Sequence, residues 1–242
     1  MKVSDYISFK IDRFPKGYIF TYADFVTGVN TKEAIIKSLN RMASSGKIVK
    51  LAKGKFYKPE TSAFGNLQPS LYQIVKDLLE EDGKITGYLT GYSIYNQLGL
   101  TTQVSSIIQI GKNETRPSFK RERYTISIIK QKNTITRENI TLLQILDAVR
   151  YIKKIPDTTN SAAVTRLLAI ISELNDNEIS SLARLALKYP PAARALTGAM
   201  LQEFGKINET EALRKSLNPI TTFKLPGISD TLSSIENWNI KE

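Results

Sequence analysis

The sequence contains neither cysteine nor histidine. Their absence excludes disulfide bonds, zinc sites built on these residues, and catalysis that needs a thiolate or an imidazole. No apolar run reaches the roughly 20 residues that span a bilayer, and the N-terminal stretch lacks the apolar core and cleavage site of a signal peptide. We therefore expect a cytoplasmic protein without catalytic residues, a metal, a cofactor or a membrane partner.

Positive charge is in excess and unevenly distributed. The 242 residues carry 34 Lys and Arg against 23 Asp and Glu, a net charge of +11. Residues 1–60 hold 12 of the basic and 5 of the acidic residues, so this quarter of the chain carries +7 of the excess. The stretch from Lys47 to Lys58 has five lysines and no acid. This distribution indicates a polyanionic partner that meets the N-terminal part of the chain.

Residues 31–58 have the pattern of a helix followed by a two-stranded hairpin. The Thr31 hydroxyl is a favourable N-cap, and three apolar residues at helical spacing form one buried stripe, Ile35, Leu39 and Met42. Gly46 suits the left-handed turn that ends a helix. Residues 48–57 predict two short strands that are joined by a basic tip, Lys53-Gly54-Lys55.

The preceding residues supply further short elements. Ser4 is expected to cap a first helix, and residues 18–20 form an aromatic strand. Thr21 and Asp24 have the spacing of a capping box at a brief second helix, and residues 28–30 form the turn before the third. The order of helix, strand, helix, turn, helix and hairpin predicts a winged helix over residues 1–60. The alternative is a small α+β module whose basic turn is merely solvated.

The winged-helix interpretation gives named DNA contacts. The helix from Glu33 to Ser44 would enter the major groove, where Arg and Lys can bond guanine and Asn can pair with adenine. The helix start would hold a phosphate, and the hairpin would contact the backbone or minor groove. The predicted DNA-binding residues are Thr31, Lys32, Lys37, Asn40, Arg41, Lys50, Lys53, Lys55 and Tyr57.

The rest of the chain predicts a larger second domain and an α+β fold overall. Residues 61–69 are polar and turn-rich, as in an interdomain linker, and a new helix starts at Ser70. We expect residues 70–135 to be mixed α/β, residues 136–217 to form a helical bundle, and residues 218–242 to pack back as a tail. The predicted domains are therefore 1–60 and 70–242.

A basic stretch lies between two predicted strands, Ser105–Ile110 and Tyr124–Ile129. It is either a solvated hairpin loop or a second contact to an anionic partner. Its basic residues are Lys112, Arg116, Lys120, Arg121 and Arg123.

Two other features are those that an enzyme could use. Gly87 and Gly91 lie where a phosphate-binding loop could occur, but the lysine and hydroxyl residue that end such a loop are missing. Residues 77–82 contain four acids, which a metal-dependent nuclease or transferase could use, although their place at a helix end suits an exposed face.

Several passages together resemble one family, the AbiEi-like antitoxins of bacterial type IV toxin–antitoxin systems. The most specific is TGYSIYNQLGLTTQV, from Thr90 to Val104. The others are residues 39–42, 46–48 and 53–59 in the hairpin region, 142–157 and 185–201 in the helical part, and 236–240 near the end.

The resemblance implies an antitoxin with two roles. Its N-terminal winged helix would bind double-stranded operator DNA and repress its own operon, and its C-terminal domain would counter a nucleotidyltransferase-like toxin encoded beside it. A transcriptional regulator without a toxin partner is the alternative.

Overall fold

A computed structural model of the chain describes residues 2–26, 31–63 and 65–242. The fold is mixed α+β, which confirms the predicted class at that level. The chain divides into two compact units, residues 1–76 (unit 1) and residues 77–242 (unit 2). Every helix within the described ranges is too short or too polar to cross a membrane.

Unit 1 is built on a small antiparallel sheet and two α-helices. The elements in order are α1 (Val3–Asp12), β1 (Ile19–Phe20), a 3-10 turn (Tyr22–Phe25), α2 (Lys32–Ser44), β2 (Val49–Ala52) and β3 (Lys55–Tyr57). The strand order is β1-β3-β2, with Ile19 opposite Tyr57 and Lys50 opposite Phe56. A second hairpin, β4 (Glu60–Ser62) and β5 (Gly65–Leu67), occupies most of the predicted linker, and α3 (Leu71–Leu79) follows.

Local capping explains where these elements begin and end. The Thr31 hydroxyl accepts a hydrogen bond from Ala34 N–H at 3.3 Å, and Thr21 and Asp24 form the predicted capping box. Gly46 has the left-handed φ of +77° that glycine adopts without steric cost. The predicted cap at Ser4 is wrong, because α1 already begins at Val3. The predicted turn at Gly28, Val29 and Asn30 lies outside the described residues.

The core of unit 1 is aromatic and aliphatic. The predicted stripe of α2 is buried and packs with residues from α1, β1 and β3. The Phe14 ring lies 4.7, 5.3 and 5.9 Å from the rings of Tyr18, Phe20 and Phe25, centroid to centroid, and these tilted contacts add to the burial of apolar surface. The buried members are Ile7, Ile11, Phe20, Phe25, Ile35, Leu39, Met42, Ile48 and Phe56.

Unit 2 begins with a sheet. Its strands are β6 (Glu80–Glu81), β7 (Lys84–Ile85), β8 (Gly87–Thr90), β9 (Ile107–Lys112), β10 (Phe119–Arg121) and β11 (Tyr124–Lys130). β6 pairs with β7, and the other four form one sheet in the order β10-β11-β9-β8. β9 and β11 run parallel, so residues 113–123 are a crossover that contains β10. The predicted simple hairpin between them is therefore wrong.

Helices and a packed tail complete unit 2. They are α4 (Ile140–Arg150), α5 (Asn160–Ser172), α6 (Asp176–Ala186), α7 (Pro191–Glu203), α8 (Ile207–Lys215) and the strands β12 (Phe223–Lys224) and β13 (Ile240–Lys241). Asn175 caps α6 and forms a capping box with Glu178. The tail buries Trp238 against α7, where Gly198 leaves the space: a Cβ there would lie 2.2 Å from the indole ring.

One predicted helix is absent from the described part of unit 2. The sequence after Gly91 predicts a helix reaching Leu98, whereas a 3-10 turn covers Gly91–Ser93 and turns continue to residue 99. Gly91 has φ +55°, and Gln109 Oε1 accepts the Tyr92 N–H at 2.9 Å. The glycine therefore serves a tight turn against β9.

Candidate nucleic-acid interface

One side of α2 is exposed along its whole length. The residues on that side follow the spacing i, i+3, i+4, i+7, i+8, i+11, which is one face of a helix. The opposite side carries the buried stripe, so packing fixes which side faces outward. We call this exposed side the reading face; it consists of Glu33, Ile36, Lys37, Asn40, Arg41 and Ser44.

The reading face contains both charged and apolar groups. Lys37, Asn40 and Arg41 are exposed, as the sequence predicts, and they are neighbours on adjacent turns. Ile36 is an addition that the sequence analysis did not single out: its side chain is 38% exposed although isoleucine is usually buried. The signal available in the sequence was its position, one residue before Lys37 and outside the buried stripe.

The start of α2 presents two of the predicted phosphate contacts. Thr31 and Lys32 are both exposed. The Thr31 hydroxyl caps the helix, and the Lys32 ammonium lies 4.7 Å from the centroid of the Tyr22 ring. The positive end of the helix dipole and this lysine therefore lie together at the first turn of α2.

The basic hairpin divides into two sets of lysines. Lys47 forms an ion pair with Asp12 at 3.3 Å, and Lys58 donates to the carbonyl oxygens of Asp12 and Phe14 at 2.8 and 2.9 Å. These two lysines therefore tie the hairpin ends to the end of α1. Lys50 and Lys53 are exposed, and Lys55 is half-buried at the start of β3.

Tyr57 is not available as a DNA contact. Its side chain is 1% exposed, and burial raises the pKa of its hydroxyl. Phe56, on the other face of β3, belongs to the unit 1 core, and Tyr57, opposite Ile19 in the neighbouring strand, is buried as well, so both faces of β3 are covered at this point. We therefore remove Tyr57 from the predicted DNA-binding residues.

Some of the basic residues predicted to form a second anionic contact bind other groups within unit 2. Lys112 donates to the Leu78 carbonyl at 3.0 Å, and Arg121 binds Asp77 with two hydrogen bonds of 2.6 and 2.9 Å. Arg116 lies over the Phe119 ring, and Arg123 donates to the Tyr124 hydroxyl. Arg116 and Arg121 both lie at the Phe119 ring, 4.1 and 5.9 Å from guanidinium carbon to ring centroid. Arg116, Lys120 and Arg123 are exposed.

The acidic stretch at residues 77–82 is split between different contacts. Asp77 binds Arg121. Glu80 and Glu81 lie in β6, and the backbone of Asp82 has a left-handed φ of +49°. In the part of the chain that the structure describes, no group of three or more acidic side chains is arranged to hold a metal ion.

Unit 2 contains a buried polar network that the sequence analysis missed. Asp147 on α4 is 1% exposed, and its carboxylate accepts hydrogen bonds from the hydroxyls of Tyr88, Thr90 and Tyr189 at 2.8, 2.7 and 2.9 Å. The Gln131 side-chain amide donates to both tyrosine hydroxyls at 2.8 Å. Burial raises the pKa of Asp147, and the three hydroxyl donors act in the opposite direction. The network joins β8, the end of β11, α4 and the residues after α6.

The sequence matches one family model over residues 6–179, which include α2, the hairpin, the sheet of unit 2, α4 and α5. The chain belongs to DUF6088, a family of unknown function. The match covers most of this DUF6088 chain, whereas α7, α8 and the tail lie beyond the matched residues.

The fold also has a distant likeness to a solved structure. The crystal structure of the RV2827C protein from Mycobacterium tuberculosis is similar to this DUF6088 chain with a TM-score of 0.48 and 13% identity, over 93% of this chain and 85% of that one. No curated protein matches the sequence.

Proposed function

We propose that unit 1 is a winged helix that binds double-stranded DNA. The observation that carries this proposal is the reading face of α2, which lies next in the chain to a hairpin with basic residues at its tip. Packing of the opposite side onto the unit 1 core holds the helix in place, so its exposed groups can reach a groove without rearrangement of the fold.

The chemistry of the reading face suits base recognition. Arg41 can bond the O6 and N7 of guanine, Asn40 can pair with adenine, and Ile36 offers an apolar contact to a thymine methyl group. Lys37 and Lys32 are placed to meet phosphates on either side of such contacts. The face therefore combines groups that can distinguish sequences with groups that hold the backbone.

The hairpin would add affinity more than sequence preference. Lys50, Lys53 and Lys55 carry charge at or near its tip, and lysine contacts to phosphates are largely independent of sequence. Lys47 and Lys58, tied to the end of α1, would fix the hairpin rather than contact DNA.

We further propose that the protein is an antitoxin that represses its own operon in the bacterial cytoplasm and counters a nucleotidyltransferase-like toxin. This proposal is supported by the passages at residues 90–104, 142–157 and 185–201 that resemble AbiEi-like antitoxins, together with the DNA-binding features of unit 1. It includes no catalytic activity and no cofactor. A winged-helix regulator without a toxin partner is the second candidate, and the reading frame next to the gene distinguishes the two.

The two roles can be separated in the full-length chain. An Asn40→Ala/Arg41→Ala variant should lose repression of a reporter driven by the upstream DNA, because two of the groups that can read bases are gone. The same variant should still protect cells that co-express the neighbouring toxin. If the variant still represses the reporter, the DNA-reading role of α2 is overturned. If the wild-type chain does not protect the cells from the toxin, the antitoxin role is overturned and the protein is a regulator without a toxin partner.

A further inference from the structure

Unit 2 contains a cavity of about 600 Å³ whose charged side chains are all basic. Its other lining residues are neutral, and no acid lines it among the residues that the structure describes. We call it the basic cavity; its charged residues are Lys130, Lys132, Arg150, Lys188 and Arg194.

These five charges come from four parts of the fold, with Lys132 two residues beyond Lys130. Lys130 ends β11, Arg150 ends α4, Lys188 follows α6, and Arg194 lies in the first turn of α7. Basic residues along one face of a helix are usually there because they are solvated. Here the basic residues come from different elements, so the tertiary structure brings them together at one cavity. None of the five side chains forms an ion pair with an acid in residues 2–26, 31–63 and 65–242.

The hydrogen bonds of these side chains go to neutral groups, while the charge of Arg150 also acts on the buried Asp147 and lowers the pKa of that carboxyl. Arg150 donates to the Lys130 carbonyl at 3.3 Å, and Lys188 reaches the Lys132 carbonyl at 3.5 Å, so both bind neutral acceptors. The Nε atom of Arg194 is buried and has no acceptor within the described ranges. A buried donor without a partner is unfavourable, and a bound anion would supply the missing acceptor.

Part of the cavity wall is held rigidly. Gln131 and Tyr189 line it, and the hydrogen bonds of the buried network fix both side chains behind it. The 13-residue helix α7 begins at the same wall with Pro191, so the positive end of its dipole adds to the five charges. The oxygens of Asp147 are engaged by three hydroxyls within the network and do not enter the cavity lining.

A neighbouring cavity of about 400 Å³ shares Arg150 and is more apolar. Its walls include the side chains of Tyr151, Leu196, Phe223 and Leu225, and its cations are Arg150, Lys153, Lys154 and Lys224. The size of each cavity falls within the range of about 300–1,000 Å³ that small-molecule sites occupy. Together the two offer a place for several phosphates beside a place for an apolar ring.

We propose that the basic cavity binds a small ligand that carries a chain of phosphates. Two sources share this chemistry, a nucleoside triphosphate and an inorganic polyphosphate. The proposal does not depend on DNA binding by unit 1, because all the groups that carry it belong to unit 2.

Isothermal titration calorimetry of the full-length protein with tripolyphosphate and with ATP tests the proposal. Both probes should bind the wild-type chain, and Lys132→Ala/Lys188→Ala should weaken each by about tenfold or more, because two charge-assisted contacts are lost. Both lysines are exposed, so the variant should keep its fold. Arg194→Gln should weaken binding in the same direction. Tighter binding of ATP than of tripolyphosphate would identify the nucleotide as the source.

A charge-matched control separates a site from general attraction. Lys84→Ala/Arg214→Ala removes two exposed charges of unit 2 outside the basic cavity and should leave both affinities within about twofold of the wild type. Equal weakening by the control and the cavity variant would overturn the proposal, as would the absence of binding by both probes. Binding of a short single-stranded RNA without binding of either small probe would also overturn it, because the ligand would then be a macromolecule.

Discussion

The two basic regions of this protein are built in opposite ways. In unit 1 the charges lie on one helix face and one hairpin, close together in sequence and exposed. In unit 2 the charges around the basic cavity come from residues 130–194, and the polar groups behind the cavity are buried in a hydrogen-bond network. A surface of the first kind suits a large partner that approaches from outside, whereas a cavity suits a small ligand that enters.

The comparison also separates charges that act on a partner from polar groups that hold the fold. Removal of an exposed lysine from unit 1 should change binding and leave stability almost unaltered. Removal of a buried acceptor from unit 2 should do the reverse, because the donors that it leaves behind have no access to water.

The largest effect is expected from Asp147→Ala. This change leaves the hydroxyls of Tyr88, Thr90 and Tyr189 without their shared acceptor, and we expect the free energy of unfolding to fall by about 3–5 kcal/mol. Urea unfolding of the full-length chain measures the loss. Asp176→Ala is the control: it removes an exposed carboxylate that pairs with Lys206, and its unfolding midpoint should stay at the wild-type value. Similar midpoints for both variants would contradict a structural role for the network.

The next largest effect is expected from Lys53→Ala/Lys55→Ala. If both lysines contact phosphates, the plot of log affinity for duplex DNA against log salt should become shallower by about 2 units, since each contact contributes about 0.9. Fluorescence anisotropy over a range of salt concentrations measures the slope.

The same lysine-rich stretch supplies the control for this measurement. Lys47→Ala/Lys58→Ala removes an equal charge from lysines that contact α1 and the residues after it, and it should leave the slope near the wild-type value. An unchanged slope in the Lys53→Ala/Lys55→Ala variant would exclude the hairpin tip as a phosphate contact.

A smaller and more selective effect is expected from Arg41→Ala. Loss of a bidentate contact to guanine should reduce discrimination at one base pair by about 1–3 kcal/mol while binding to other sequences changes little. Binding to a panel of single-base variants of the upstream DNA measures this. Arg13→Ala, whose guanidinium lies over the Phe9 ring on α1, should keep the wild-type preferences. Uniform weakening on all sequences would make Arg41 a phosphate contact only.

The smallest effect is a dependence of stability on pH. Because burial raises the pKa of Asp147 in the folded state, its ionisation opposes folding once the pH exceeds the unfolded value of about 3.9. The stability of the wild type relative to Asp147→Asn should therefore be greatest below that pH and fall as the pH rises, by about 1.4 kcal/mol per unit at most. Urea titrations of both chains at several pH values measure the difference. A relative stability that rises with pH would show that the hydroxyl donors outweigh burial.

Much of unit 1 could be predicted because its determinants are local. The cap at Thr31, the stripe on α2, the turn at Gly46 and the exposed positions of Asn40 and Arg41 all depend on residues within a few positions of one another. The prediction for Tyr57 is wrong because both faces of β3 are buried at Phe56 and Tyr57, and the covering of the second face is not readable from residues 48–57.

Unit 2 was predicted less well because its determinants are distant in sequence. The parallel pairing of β9 with β11 depends on a crossover that a run of basic residues cannot reveal. The contact between Asp147 and Tyr88 joins residues 59 positions apart, and Asp147 alone looks like an ordinary exposed acid on an amphipathic helix. Lys130 and Arg194 likewise have no relation in sequence that would place them at one cavity.

The most direct test of the central claim is a competition between the DNA upstream of the gene and a scrambled duplex of the same composition. The full-length wild type should prefer the upstream DNA, and Lys37→Ala/Asn40→Ala/Arg41→Ala should lose that preference while it still binds both duplexes in a salt-dependent way. A wild-type chain that binds the two duplexes equally, or a triple variant that keeps the preference, would contradict the account of α2 as the reading element.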